Sequence, residues 1–214
     1  MKTLAIAIAI AIALVLGAAL ATAAGAAAPT LTLASSATVV AYGKPVTLSG
    51  QLTGGKPNQT VAVDGTVCGT SRAAKVTSAK TTSTGAYSAA VTPTGATSYQ
   101  ATYKNVKSPA VAVTVRPVLA LTKSGTTWTA KVTAGQALTG KAVLFQRYVK
   151  LRKRWRQVKR VLLATSTPGP AKSTVVSSVT FTAKLTRGTR VRLAISTAQA
   201  APCYVAATSA SLRA

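Results

Sequence analysis

From Pro29 onward, apolar and polar residues alternate with a period of two, the pattern of strands that bury one face. Val46, Leu48, Gly50 and Leu52 alternate with Thr47, Ser49, Gln51 and Thr53. Turn residues then open further runs. Val61 and Val63 follow Gly54 to Pro57, and Tyr87, Ala89 and Val91 follow Gly85. Tyr99, Ala101 and Tyr103 follow Gly95, and Val111, Val113 and Val115 follow Pro109. No stretch carries helical periodicity.

The second half repeats the scheme with Leu119 and Leu121, then Trp128, Ala130 and Val132, then Val143 and Phe145. Val179, Phe181, Ala183 and Leu185 form the next run, and Val191, Leu193 and Ile195 alternate with Arg190, Arg192 and Ala194. Turns every 8 to 12 residues or so, and about seven strands in about 90 residues per half, predict one sandwich core in each. The expected fold is therefore all-β, with one domain over 29–116 and another over 117–214. Val115-Arg116-Pro117-Val118 is the joint; being short and holding a proline, it predicts a semi-rigid tandem.

Residues 1–26 read as a signal peptide: a basic start at Lys2, an apolar run from Leu4 to Leu20, then small residues. Cleavage before Ala24 and cleavage before Ala27 both fit. The run approaches the ~20 residues that span a bilayer, so an uncleaved anchor is the alternative. No second membrane span follows, and cleavage would leave no inserted segment. The expected location is secreted or at the cell envelope.

The stretch from Thr38 to Val115, with VTLSGQLT, TSTGAYSAAVTP and TSYQATYKNVKSPAVAVTV, resembles a bacterial immunoglobulin-like or fibronectin-like repeat of secreted and surface proteins. The second half is similar but more divergent: VLFQRY followed by Trp155 resembles the central hairpin of such repeats. The resemblance implies tandem immunoglobulin-like sandwiches serving adhesion, scaffolding or ligand presentation, and brings no catalytic residues with it. In that topology Cys68 falls in the loop after the third strand of the first domain, and Cys203 between the last two strands of the second. Both loops lie at the poles that face the joint. The resemblance thus implies a Cys68 to Cys203 disulfide across the boundary, and two free or intermolecular thiols are the alternative.

Composition narrows the chemistry. The chain has no His, and Asp64 is its single acidic residue against 26 Lys and Arg, a net charge of +25. General acid/base catalysis and metal sites ordinarily draw on His or carboxylates. A Ser-Lys dyad is formally open, but no motif marks one. The expectation is a non-enzyme with no cofactor, no metal and no small-molecule substrate. Its charge suits anionic envelope polymers or other polyanions: acidic polysaccharide, wall polymer or extracellular nucleic acid.

The densest feature runs from Lys141 to Arg160, with nine basic residues in 20 positions. Strands over about 142–149 and 155–163 flanking a turn near 150–154 predict a basic hairpin. Its candidate polyanion-binding residues are Lys150, Arg152, Lys153, Arg154, Arg156, Lys159 and Arg160. Tyr148 and Trp155 beside them suit strands of nucleic acid or sugar, although Trp155 and Phe145 also read as core residues under snorkelling Arg and Lys stems. Trp155 is expected in the core. Tyr99 and Tyr103 read as core too, and Asp64-Gly65 as a turn.

Overall fold

A computed structural model describes residues 28–214. The expected signal sequence, its cleavage sites and its anchor alternative lie outside the described residues. The first half forms β1 (Thr30–Leu31), β2 (Ala34–Ser35), β3 (Val39–Ala41), β4 (Val46–Thr53) and β5 (Thr60–Val67). It continues with β6 (Ala74–Lys80), β7 (Ala86–Val91), β8 (Thr97–Tyr103), β9 (Val106–Lys107) and β10 (Val111–Arg116). One sheet runs β1-β4-β2 with β7 on β4, and the other runs β3-β10-β8-β5-β6 with β9 on β8. Alternation fills the space between them. Val46, Leu48 and Leu52 of the first sheet meet Val61, Val63, Tyr99, Ala101 and Val113 of the second, all buried. Gly50 takes the remaining inward position because a Cβ there would run into the Thr32 carbonyl and the Tyr87 ring. The Tyr87 hydroxyl donates to that carbonyl, and burial pushes its phenol up to about 12.

The second half forms β11 (Val118–Ser124), β12 (Thr127–Ala134), β13 (Ala142–Val149), β14 (Arg154–Leu162) and β15 (Thr165–Pro168). Then come β16 (Val175–Thr182), β17 (Arg190–Ile195), a single-turn helix α1 (Thr197–Ala200), β18 (Ala207–Thr208) and β19 (Leu212–Arg213). Its sheets run β11-β12-β16-β15 and β14-β13-β17-β18, with β19 also on β17. This is the strand order of an immunoglobulin-like sandwich, A-B-E-D against C′-C-F-G. Trp128, Phe145 and Phe181 form an aromatic centre with ring centroids 5.0 and 5.1 Å apart, backed by Leu193 and Ile195. The described residues are all-β apart from α1 and a 3-10 turn.

Four local expectations need correction. Asp64 is no turn residue: it lies within β5 at a register shift between Val63 and Asp64, with Val76 the extra residue of β6. There its carboxylate accepts from the Thr102 hydroxyl at 3.3 Å. Tyr103, unlike the buried Tyr99, is only half-buried and donates to Gln59 Oε1 at 2.8 Å. The run through Leu185 stops as a strand at Thr182, leaving Ala183 and Leu185 half-buried beside the core. Trp155 is the fourth, and its displacement shapes the candidate site below.

The joint is a packed interface. Val115 is fully buried in the second core, with Val40, Tyr42 and Cys68 of the first half packed against the same cluster. Cys68 and Cys203 are bonded, their Cα atoms 5.3 Å apart. Around them the Val205 N–H donates to the Val115 carbonyl at 3.0 Å and the Ala96 N–H to the Cys203 carbonyl at 2.9 Å. The Tyr204 hydroxyl accepts from Gly135 N–H at 2.9 Å and donates to the Thr94 carbonyl at 2.8 Å. Tyr42 reaches across as well, donating to the Ser173 carbonyl at 2.8 Å.

Candidate polyanion interface

The basic hairpin is β13 and β14, closed by a 3-10 turn over Lys150–Arg152 and by Lys153 in the left-handed region at φ 45°. Because β13 starts at the joint pole and spans 8 residues, the tip stands at the opposite pole, roughly 25 Å away at strand rise. Seventeen of the 26 basic residues lie from Pro117 onward, where there is no acidic side chain.

One bulge decides which side chains share a face. From the buried Leu163 and Val161, strict alternation would send Lys159, Gln157 and Trp155 inward. Between Phe145 and Gln146 the pairing shifts, however, so Phe145 faces Lys159 while Gln146 faces Gln157, and Val158 is the extra residue. An inserted residue reverses the parity of everything beyond it. Trp155 therefore leaves the core and joins Tyr148, its cross-strand partner, on the outer face, their rings 5.3 Å apart edge to face.

On that face Arg192 of β17 pairs with Gln146 and donates from Nε to its Oε1 at 2.9 Å. The Arg192 guanidinium lies 4.3 Å from the Trp155 ring centre, and its half-burial lowers its pKa through desolvation; an arginine stays charged regardless. Arg190 sits 5.6 Å from the Tyr148 ring centre and 6.0 Å from that of Trp155, and donates from Nη2 to Ser211 Oγ at 3.2 Å. Arg160, opposite the half-buried Leu144, extends the row along β14. Two aromatic rings thus hold two guanidiniums on a sheet face with no acidic side chain to neutralise them.

The proposed binding residues divide. Arg160 lies on the outer face, and Lys150, Arg152 and Lys153 are exposed at the tip beside Arg154 at the start of β14. Arg156 instead pairs with Arg147 on the opposite side. Lys159 also turns away, donating to the Thr182 carbonyl at 3.2 Å and lying 5.8 Å from the Phe181 ring centre. Arg190 and Arg192 were not among the expected binding residues; the signal for them was their polar position in the alternation of β17.

Among the described residues no group of three or more His, Cys, Asp or Glu side chains gathers as a metal site. No described helix is long and apolar enough to cross a membrane. The interdomain disulfide is compatible with an extracellular location.

No family model matches the chain, and no curated protein matches it. Among solved structures it aligns with a marsupial T cell receptor at 9% identity, covering 86% of this chain and 100% of that one, with a TM-score of 0.34. A likeness that loose carries no argument here.

Proposed function

We propose that the chain is a non-enzymatic, exported interaction module of the bacterial envelope or surface, and that it holds anionic polymers on the outer face of its second sandwich. The observation that carries this reading is the Arg190, Arg192, Tyr148 and Trp155 array. Arginines already fixed by rings and hydrogen bonds lose less conformational freedom on meeting sulfate or phosphate than free lysines do. The rings are themselves engaged by guanidiniums, which favours reading of backbone charge over stacking on bases. Acidic polysaccharide, wall polymer and extracellular nucleic acid all fit that chemistry. The rival is a passive structural module that merely carries a basic surface.

Retention on immobilised heparin separates the two. Replacing Arg160 and Arg192 by Gln together with Trp155 by Ala should lower the eluting salt more than removing the same two charges from the first sandwich by Lys44→Gln and Lys56→Gln. Equal losses would leave net charge as the whole explanation.

A further inference from the structure

The two sandwiches carry corresponding poles, and among the described residues only the first has a neighbour on it. In the first, the turn closing β5 and β6 contains Cys68, and Thr94-Gly95-Ala96 leads into β8. Those residues receive the second sandwich, through the disulfide, the Tyr204 hydroxyl on the Thr94 carbonyl, and the Ala96 N–H on Cys203. In the second sandwich the corresponding turn is Lys150 to Lys153, and Arg187-Gly188-Thr189 leads into β17. The correspondence is positional: both hairpins shift register after the fourth residue of the leading strand, at Val63 and at Phe145. Where the first sandwich offers a cysteine, small residues and the single Arg72, the second offers Lys150, Arg152, Lys153 and Arg187.

These cations surround a cleft of ≈ 440 Å³ lined by Tyr148, Lys150, Arg187, Thr189, Arg190 and Arg213. Arg190 and Arg213 are direct cross-strand partners on β17 and β19. Like charges facing each other across a ladder destabilise it unless an anion lies between them. The turn's backbone is already spoken for: Gly188 N–H donates to a terminal main-chain oxygen of Ala214 and Thr189 N–H to the Thr186 carbonyl. An anion here would therefore be held by side chains. Arg190 joins the cleft to the outer face, since its guanidinium also lies over Tyr148.

We propose that this cleft is a site for a compact multivalent phosphate group, a phosphomonoester or pyrophosphate. Guanidiniums pair with phosphate oxygens two at a time, and dense negative charge best offsets three arginines and a lysine brought together. The assignment rests on the polyanion reading and deepens it, placing a polymer's charged terminus at the pole and its repeating charges along the outer face. Leu151, 99% exposed at the tip, gives the same phosphate chemistry a second source, the headgroup of an anionic lipid.

The probes are inorganic pyrophosphate by calorimetry, and vesicles of phosphatidylglycerol in phosphatidylcholine by sedimentation. For pyrophosphate, saturable one-to-one binding is expected, weakened tenfold or more by Arg187→Gln with Arg213→Gln and left within twofold by Lys44→Gln with Lys56→Gln. Vesicle binding that needs Arg187, Arg213 and Leu151 would identify lipid as the source of the phosphate. Arg213→Glu, which pairs a carboxylate with Arg190, should raise Tm while abolishing binding. That gain excludes misfolding as the cause of the loss. Absent saturable binding to either probe, or binding indifferent to the Arg187 and Arg213 changes, would overturn the site. Heparin retention on the outer face is an independent readout, so the cleft and the polymer surface fail separately.

Discussion

Gly135 stands where the two sandwiches meet, and adding one methyl group there tests whether they are locked. Its Cβ would lie 2.5 Å from the Thr94 carbonyl oxygen and 3.1 Å from the Tyr204 hydroxyl. Its φ lies outside the left-handed region, so alanine brings no backbone strain of its own and acts as a wedge. Relief requires the sandwiches to part by roughly half an ångström. Overpacking of this kind costs about 1–3 kcal/mol. Parting also stretches the relay from Gly135 N–H through the Tyr204 hydroxyl to the Thr94 carbonyl, where each bond is worth about 0.5–1.5 kcal/mol net. Gly135→Ala should therefore destabilise the oxidised protein by about 2–4 kcal/mol, read in urea unfolding as a midpoint lowered by about 1–2 M. In a Cys68→Ala, Cys203→Ala background the interface can open and shed the strain, so the same change should cost at most about half as much, a coupling that a double-mutant cycle isolates. A loss below about 0.5 kcal/mol in the oxidised protein, or equal losses in both backgrounds, would refute the locked interface.

Two further outcomes follow from the same structure. Removing the Cys68–Cys203 bridge, which spans 135 residues, should lower unfolding stability by about 3–5 kcal/mol in the chain-entropy model; a drop under about 1 kcal/mol in guanidinium titrations would mean the crosslink contributes little. Burial raises the phenols of Tyr87, Tyr99 and Tyr204, so the stability they contribute is intact below the unfolded value near 10 and lost as pH rises through the folded one. Thermal melts should fall between about pH 10 and 12, less so in Tyr87→Phe, and an unchanged slope in that variant would count against Tyr87.

The core was legible because its signal is local. Val46, Leu48 and Leu52, or Trp128, Ala130 and Val132, declare an inward face by period two alone, and each is buried. The disulfide was legible only through the resemblance, since nothing in the spacing of two cysteines names a pole. Trp155 was misread for a definite reason. A one-residue bulge at Val158 reverses the face of every residue between it and the tip, and no residue type in Arg156-Gln157-Val158-Lys159 announces it. The same bulge split the nine-cation run across two sides of the hairpin. Arg190 and Arg192 were visible as polar positions of β17, but their place beside Tyr148 and Trp155 depends on β17 pairing with β13 rather than with a sequence neighbour. That is a long-range fact.

The central claim, that fixed guanidiniums on the outer face of the second sandwich bind the charge of a polymer, is tested most directly by salt. With single-stranded oligothymidylate as a plain phosphodiester chain, log K against log salt should fall with a slope of about −3 to −4 if four to six phosphates are neutralised. Arg160→Gln and Arg192→Gln should each make that slope shallower by about 0.7 to 1, while Lys44→Gln and Lys56→Gln leave it unchanged. Slopes that respond equally to charges removed from either sandwich, or no saturable binding at physiological salt, would contradict the account.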